Sequence, residues 1–185
     1  MRLFTGISLP PPILETMRQS LDALRPSAPD LLWYPAANLH ITTKFIGSWP
    51  EERFDELDQA LAALHISGTM PIHVARYGYF PNPHRPHTFF AGVRPVPELL
   101  ALHAAINHTV TTLGHPPEPR DYVPHLTLAR IKGHDITGLR LHIAKHGAPE
   151  FGTFSASAFH LFESVPGPNG SAYNIMKTYP LKEAA

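Results

Sequence analysis

The stretch Asn38-Leu39-His40-Ile41-Thr42-Thr43-Lys44-Phe45-Ile46-Gly47, NLHITTKFIG, reads as a β-strand, and Pro124 to Arg130, PHLTLAR, echoes it. Each carries a His and a Thr two residues apart, His40 with Thr42 and His125 with Thr127. On a strand, residues i and i+2 point to the same face. Each motif therefore presents an imidazole beside a hydroxyl. In a chain with 13 His, about one His-x-Thr pair is expected by chance, so the setting carries the weight. Both pairs stand in strand patterns, and they are separated by close to half of the 185 residues. Two similar halves, each giving one pair to a shared cleft, account for this.

Strict alternation sorts the neighbours. His40, Thr42 and Lys44 fall on one face of the first motif strand, and Leu39, Ile41 and Phe45 on the other, which reads as core. Lys44 is thus a candidate auxiliary phosphate contact. In the second motif His125 and Thr127 share a face opposite Leu126 and Leu128. Arg130 falls on the leucine side and reaches the cleft only if a bulge intervenes.

Around these strands the periodicity alternates. Arg2 to Leu9 is an apolar strand, and Pro10 to Pro12 open a helix with Ile13, Met17, Leu21 and Leu24 at helical spacing. A short strand over Leu31 to Tyr34 precedes the first motif. Ser48-Trp49-Pro50-Glu51 has the form of a capping box, followed by Phe54, Leu57, Leu61 and Leu64 on one helical face. Met70 to Phe80 and Thr88 to Val93 are strands joined by PNPHRP. Pro97 to Leu113 is a third helix, on which His103 falls among apolar positions and reads as a packed side chain. Ile136 to Lys145 is a fourth. Phe151 to Glu163 and Tyr173 to Leu181 read as a last strand pair, joined by SVPGPNGSA, which has no periodicity. The expected fold class is α+β, bilobal and pseudo-symmetric. Two antiparallel sheets flank a central cleft with helices on their outer faces, in one domain spanning 1–185.

Composition narrows the function. Fifteen Lys and Arg balance 15 Asp and Glu, so binding of long nucleic acid by charge alone is disfavoured, while a small polyanion held by a few local groups is not. The absence of Cys excludes disulfides, thiolate zinc sites and Cys nucleophiles. No signal-peptide pattern opens the chain and no apolar run is long enough to span a bilayer, so a cytoplasmic location without membrane association is expected.

Two opposed imidazoles suit a reaction needing a base at one end and an acid at the other, since either can be neutral or protonated near neutral pH. Phosphodiester cleavage by in-line displacement is such a reaction. Threonine hydroxyls can donate to the non-bridging oxygens as charge builds there. The scheme asks for no metal and no cofactor.

NLHITTKFIG and PHLTLAR closely resemble the paired H-x-T-x motifs of the two-histidine (2H) phosphoesterase superfamily. More narrowly, the chain is similar to the RNA 2',3'-cyclic phosphodiesterases, also called 2'-5' RNA ligases. The likeness extends to the RLF opening strand, Trp33-Tyr34, the AGV strand end, and Glu163, Ser164, Gly170 and Tyr173 near the end. The resemblance implies hydrolysis of 2',3'-cyclic phosphate ends to 2'-phosphates, with RNA termini or short oligoribonucleotides as substrates. It implies His40 as proton donor, His125 as proton acceptor, and Thr42 and Thr127 as phosphate ligands. It also matches Arg130, and gives no indication of a protein partner. Two departures stand out. Thr43 replaces an aliphatic residue, and Arg85-Pro86-His87 replaces a Pro-Arg pair, which bears on substrate preference. Phe4, Tyr122 and Tyr173 are candidates for base stacking.

Other readings fit the same motifs. The chain could be a 2H enzyme acting on a small cyclic nucleotide, or one running the reverse ligation. It could also be a non-enzymatic module that binds RNA ends.

Overall fold

The computed structural model of the chain describes residues 1–66, 69–147, 149–168 and 170–181. Arg2–Ser8 forms β1 and Pro11–Leu24 forms α1, which opens on its prolines and buries Ile13, Met17, Leu21 and Leu24 as one stripe. There follow β2 (Leu32–Trp33), β3 (His40–Ser48), α2 (Phe54–Ala62), β4 (Met70–Phe80), β5 (Thr88–Val93) and α3 (Pro97–Thr112). The chain continues through β6 (His125–Arg130), α4 (Thr137–His146), β7 (Glu150–Ala156), β8 (Ala158–Gly167) and β9 (Gly170–Pro180). The class is α+β, as expected. Among the described residues, none of the helices is long and apolar enough to cross a membrane.

The strands form two antiparallel sheets, one in the order β3-β1-β8-β9 and the other β2-β6-β5-β4-β7. Each motif strand lies near one side of its sheet, and β3 meets β6 between the sheets. Helices α2 and α3 pack on the first sheet, through β9 and β3, and α1 packs on the second through β7. Gly152 on β7 allows that packing, because a Cβ there would lie 2.7 Å from Ile13 Cδ1.

Four expectations are corrected. The lobes are not sequence halves. The first sheet takes β1 and β3 from the start of the chain and β8 and β9 from its end, while α1 and β2 cross to the second sheet. The run from Phe151 to Glu163 is two strands that part at Ser157, with β7 in one sheet and β8 in the other. SVPGPNGSA is mostly ladder, because β8 and β9 pair down to Gly167 opposite Gly170; Asn169 lies outside the described residues. The capping box does not form. Ser48 is the last residue of β3, paired with Arg2, and Pro50 precedes a 3-10 turn at Glu51–Arg53 that leads into α2. The sheet holds the Ser48 backbone before a cap can use it.

Candidate active site

The site begins with the way each motif histidine is tied down. The Nδ1–H of His40 donates to the Asn38 carbonyl, 2.8 Å away, and that of His125 to the Val123 carbonyl, 2.7 Å away. Each is the carbonyl two residues upstream. A carbonyl only accepts, so it fixes the proton on Nδ1 and leaves Nε2 for whatever enters the cleft.

Aromatic rings complete the two mounts. His40 lies on Phe4 at 4.6 Å between ring centres, with the edge of Tyr173 at 5.0 Å and Phe162 at 5.7 Å. His125 meets Phe80 at 4.8 Å and Phe90 at 5.3 Å. Gly6 makes room for the first ring, since a Cβ there would stand 3.5 Å from His40 Cδ2 and 2.8 Å from the Ile41 carbonyl oxygen. Burial is the main influence on both imidazoles. It pulls His40 down to about 4, opposed by the bond to Asn38 and reinforced by the nearby charge of His125. His125 is lowered by burial too, against the bond to Val123 and with help from the Arg130 charge.

Both motif strands carry a β-bulge at the same place, three residues after the histidine. On β3, Gly6 pairs with Thr42 and Thr5 with Lys44, so Thr43 is the extra residue. On β6, Phe90 pairs with Thr127 and Phe89 with Ala129, so Leu128 is the extra residue. Directly paired residues share a face, so each bulge inverts the alternation beyond it.

The inversion reassigns three side chains. Arg130 pairs with Thr88 on the His125 and Thr127 face and donates to the Thr88 hydroxyl at 2.7 Å. The bulge that would bring it to the cleft is present. Lys44, in contrast, pairs with the fully buried Thr5 and not with the His40 face, and is only 3% exposed. Its ammonium is lowered by burial, partly offset by the charge of Glu118. Phe45 takes the cleft-side position that strict alternation gave to Lys44. It pairs with Phe4 and is 59% exposed. Phe45 thus occupies on the first motif strand the place Arg130 holds on the second. Thr43 stays on the back face, where its hydroxyl lies 2.7 Å from that of Thr5.

A cavity of about 670 Å³ is lined by Thr42, Lys44, Phe45, His125, Thr127 and Arg130, with Phe80, His87 and Thr88 also in its wall. His40 is not part of that wall, although Thr42 of the same motif is. Among the candidate stacking residues, Phe4 is buried under His40. Tyr122 donates to the Thr42 carbonyl at 2.9 Å and stacks on His103, whose Nδ1 bonds the Thr43 carbonyl. These two rings brace the bulge, and His103 is a packed side chain as expected. Tyr173 is half-buried against His40 and Phe4, its hydroxyl pushed up to about 12 by burial and by Tyr34. Phe80 and His87 carry no sequence mark of a lining role, and Phe45, which strict alternation assigns to the core face, is instead exposed on the cleft side. The only signal for Phe45 was an aromatic residue three positions past the motif Thr, readable only with the bulge in hand.

The family model of the 2'-5' RNA ligase superfamily matches residues 10–166. The RNA 2',3'-cyclic phosphodiesterase of Methanocaldococcus jannaschii is 31% identical over 97% of this chain and 100% of its own length. That of Aeropyrum pernix is 31% identical over 80% and 84%. Among solved structures, the Thermus thermophilus protein TT0787 superposes with a TM-score of 0.85 at 25% identity, covering both chains in full. Escherichia coli LigT, solved with 3'-AMP, shares the fold at a TM-score of 0.80 and 22% identity, over 97% of each chain. The two-sheet architecture agrees with these likenesses, and the chain belongs to the 2'-5' RNA ligase superfamily, as a relative of its RNA 2',3'-cyclic phosphodiesterases.

Proposed function

We propose that the protein opens terminal 2',3'-cyclic phosphates of RNA to 2'-phosphates by acid–base catalysis between His125 and His40. The observation that carries this reading is the matched pair of Nδ1 anchors, which leaves one free Nε2 on each motif strand. His125 Nε2 takes a proton from water as its oxygen bonds to phosphorus. The bond from phosphorus to the 3'-oxygen breaks, and that oxygen takes the proton held on His40 Nε2. The pair ends with its protonation exchanged, and solvent restores it. Thr42 and Thr127 donate to the non-bridging oxygens, and Arg130 adds positive charge where negative charge grows. Lys44 lines the same cavity as a charge near Glu118. Phe45 offers an exposed ring for the terminal base. The assignment of donor and acceptor rests on the family resemblance, because burial lowers both histidines and the Nδ1 anchors are the same.

With the 5'-hydroxyl of a second RNA end in place of water, the same two groups would join a cyclic phosphate end through a 2'-5' bond. The same chain would then hydrolyse and ligate, with water activity deciding between them.

The test is turnover of an oligoribonucleotide ending in a 2',3'-cyclic phosphate by the wild type, His40→Ala and His125→Ala, with chelator present. The expected result is conversion to the 2'-phosphate, reduced at least about 100-fold in each variant. Turnover that survives either substitution, or release of a 3'-phosphate, would overturn the proposal. Tight end-binding without turnover by the wild type would mark a binding module instead.

A further inference from the structure

A second concavity, of about 550 Å³, adjoins the cleft. His87 lines both. One wall is the loop between β4 and β5, with His84, Arg85 and His87, and the other is the segment from Ile131 to Arg140, with His134 and Arg140. Asn82 Oδ1 accepts from the backbone N–H groups of His84 and Arg85, both at 3.0 Å, which fixes the loop's curve. Arg140 bonds the Pro83 carbonyl and covers the Tyr79 ring, tying α4 to the loop. The walls are built, and beside the apolar Pro86, Ile131 and Ile136 the side chains they present are cationic or hydrogen-bonding. Asp135 is the one acidic group in the lining among the described residues, and it is engaged by Thr137.

The cleft lining contributed by the segment before β6 differs. There Glu118 and Asp121 are balanced by Arg120, which pairs with Glu118 at 3.2 Å, and by Lys44, so this lining offers a phosphate backbone no net positive charge. A polymer whose last phosphate sits between the motif strands must leave by one end or the other. With a chain of zero net formal charge, overall attraction does not choose, so the local field does.

We propose that the RNA strand upstream of its terminal nucleotide leaves the cleft over His87 and lays its backbone phosphates in this second trough, with Arg85 and Arg140 as fixed cations. This deepens the functional reading above and rests on it. The trough makes the protein an enzyme of oligoribonucleotide ends in preference to free cyclic nucleotides, because only a polymer reaches both cavities.

The experiment compares a cyclic mononucleotide with a hexaribonucleotide ending in the same 2',3'-cyclic phosphate, for wild type, Arg85→Ala and Arg85→Glu. Arg85 is exposed and stands away from the motif residues, so the fold and the mononucleotide reaction are expected to stay within about twofold. KM for the hexamer is expected to rise about tenfold in Arg85→Glu and less in Arg85→Ala. The slope of log affinity against log salt for the hexamer should fall by about 0.7, the loss of one single-strand phosphate contact. Equal effects on both substrates, or none on the hexamer, would overturn the trough. Should the wild type turn over neither substrate, the catalytic reading fails and the trough is judged on binding of a fluorescent 3'-phosphorylated hexamer. Weakening by Arg85→Glu of that hexamer but not of a nucleoside 3'-phosphate supports it, and unchanged binding rejects it.

Discussion

A buried imidazole that must carry a proton poses a problem of charge, and the two motif histidines pose it together. Burial holds His40 near 4 and lowers His125 as well, so the free protein has both neutral at pH 7. A phosphate anion entering between them favours the protonated form of one. Binding of a nucleoside 2'-phosphate is therefore expected to take up to one proton from solution and to tighten as pH falls from about 8 towards 6. Calorimetry in buffers of different ionisation enthalpy reads the proton directly, and His40→Gln should diminish it. Stability carries the opposite sign. An unfolded histidine binds a proton near 6.5, whereas folded His40 resists until about 4. Protonation thus favours the unfolded chain, and stability present above pH 6.5 is lost as pH falls from there to about 4. The loss from this group amounts to something on the order of 3 kcal/mol at most. Replacing it by Phe, among the rings of Phe4, Phe162 and Tyr173, should flatten urea midpoints between about pH 7 and 5. An unchanged pH dependence would show that His40 is not held neutral.

At the level of the strand, the two bulges decide which side chains meet substrate. A sequence displays period two but not the extra residue that interrupts it. His40, Thr42, His125 and Thr127 were legible because they precede the bulges. Lys44 and Phe45 exchanged faces because they follow one, and Arg130 gained the cleft for the same reason. Thr43 tolerates its place because a second hydroxyl, Thr5, meets it in the core. The aromatic mounts were invisible for another reason: Phe4 and Phe162, or Phe80 and Phe90, come together only through strand pairing. Gly78 offers a test of the second mount. It pairs with Phe90, whose ring lies across it, so a Cβ would stand 2.2 Å from Phe90 Cζ. That ring stacks on Phe80 at 4.2 Å and contacts His125. Gly78→Ala must displace it, at a cost of about 1–3 kcal/mol in stability. If the ring orients His125, kcat should fall about tenfold or more with a smaller change in KM. A variant that is less stable yet has unaltered kcat would make Phe90 packing alone.

The molecule as a whole is tied together by exchange. Local periodicity revealed α1 and its apolar stripe but not the sheet it would cover, and the two-residue β2 carried no mark of its partner β6. Both depend on contacts far along the chain, which is why two lobes were legible and their true composition was not. The consequence is mechanical. The cleft lies between sheets that each draw on distant segments, and α1, threaded between β1 of one sheet and β2 of the other, joins them. Damage to α1 should therefore loosen both motif strands. Met17 is fully buried in its stripe, and Met17→Ala is expected to cost about 2–5 kcal/mol. Followed by near-ultraviolet and far-ultraviolet dichroism together, unfolding in urea should remain one coincident transition at a lower midpoint. Amide exchange should quicken in β3 and β6 alike, although the substitution lies under the second sheet alone. Protection lost from β6 but kept in β3, or a split into two transitions, would mean that the sheets fold as separable units and that the cleft is assembled by docking, not by a shared core.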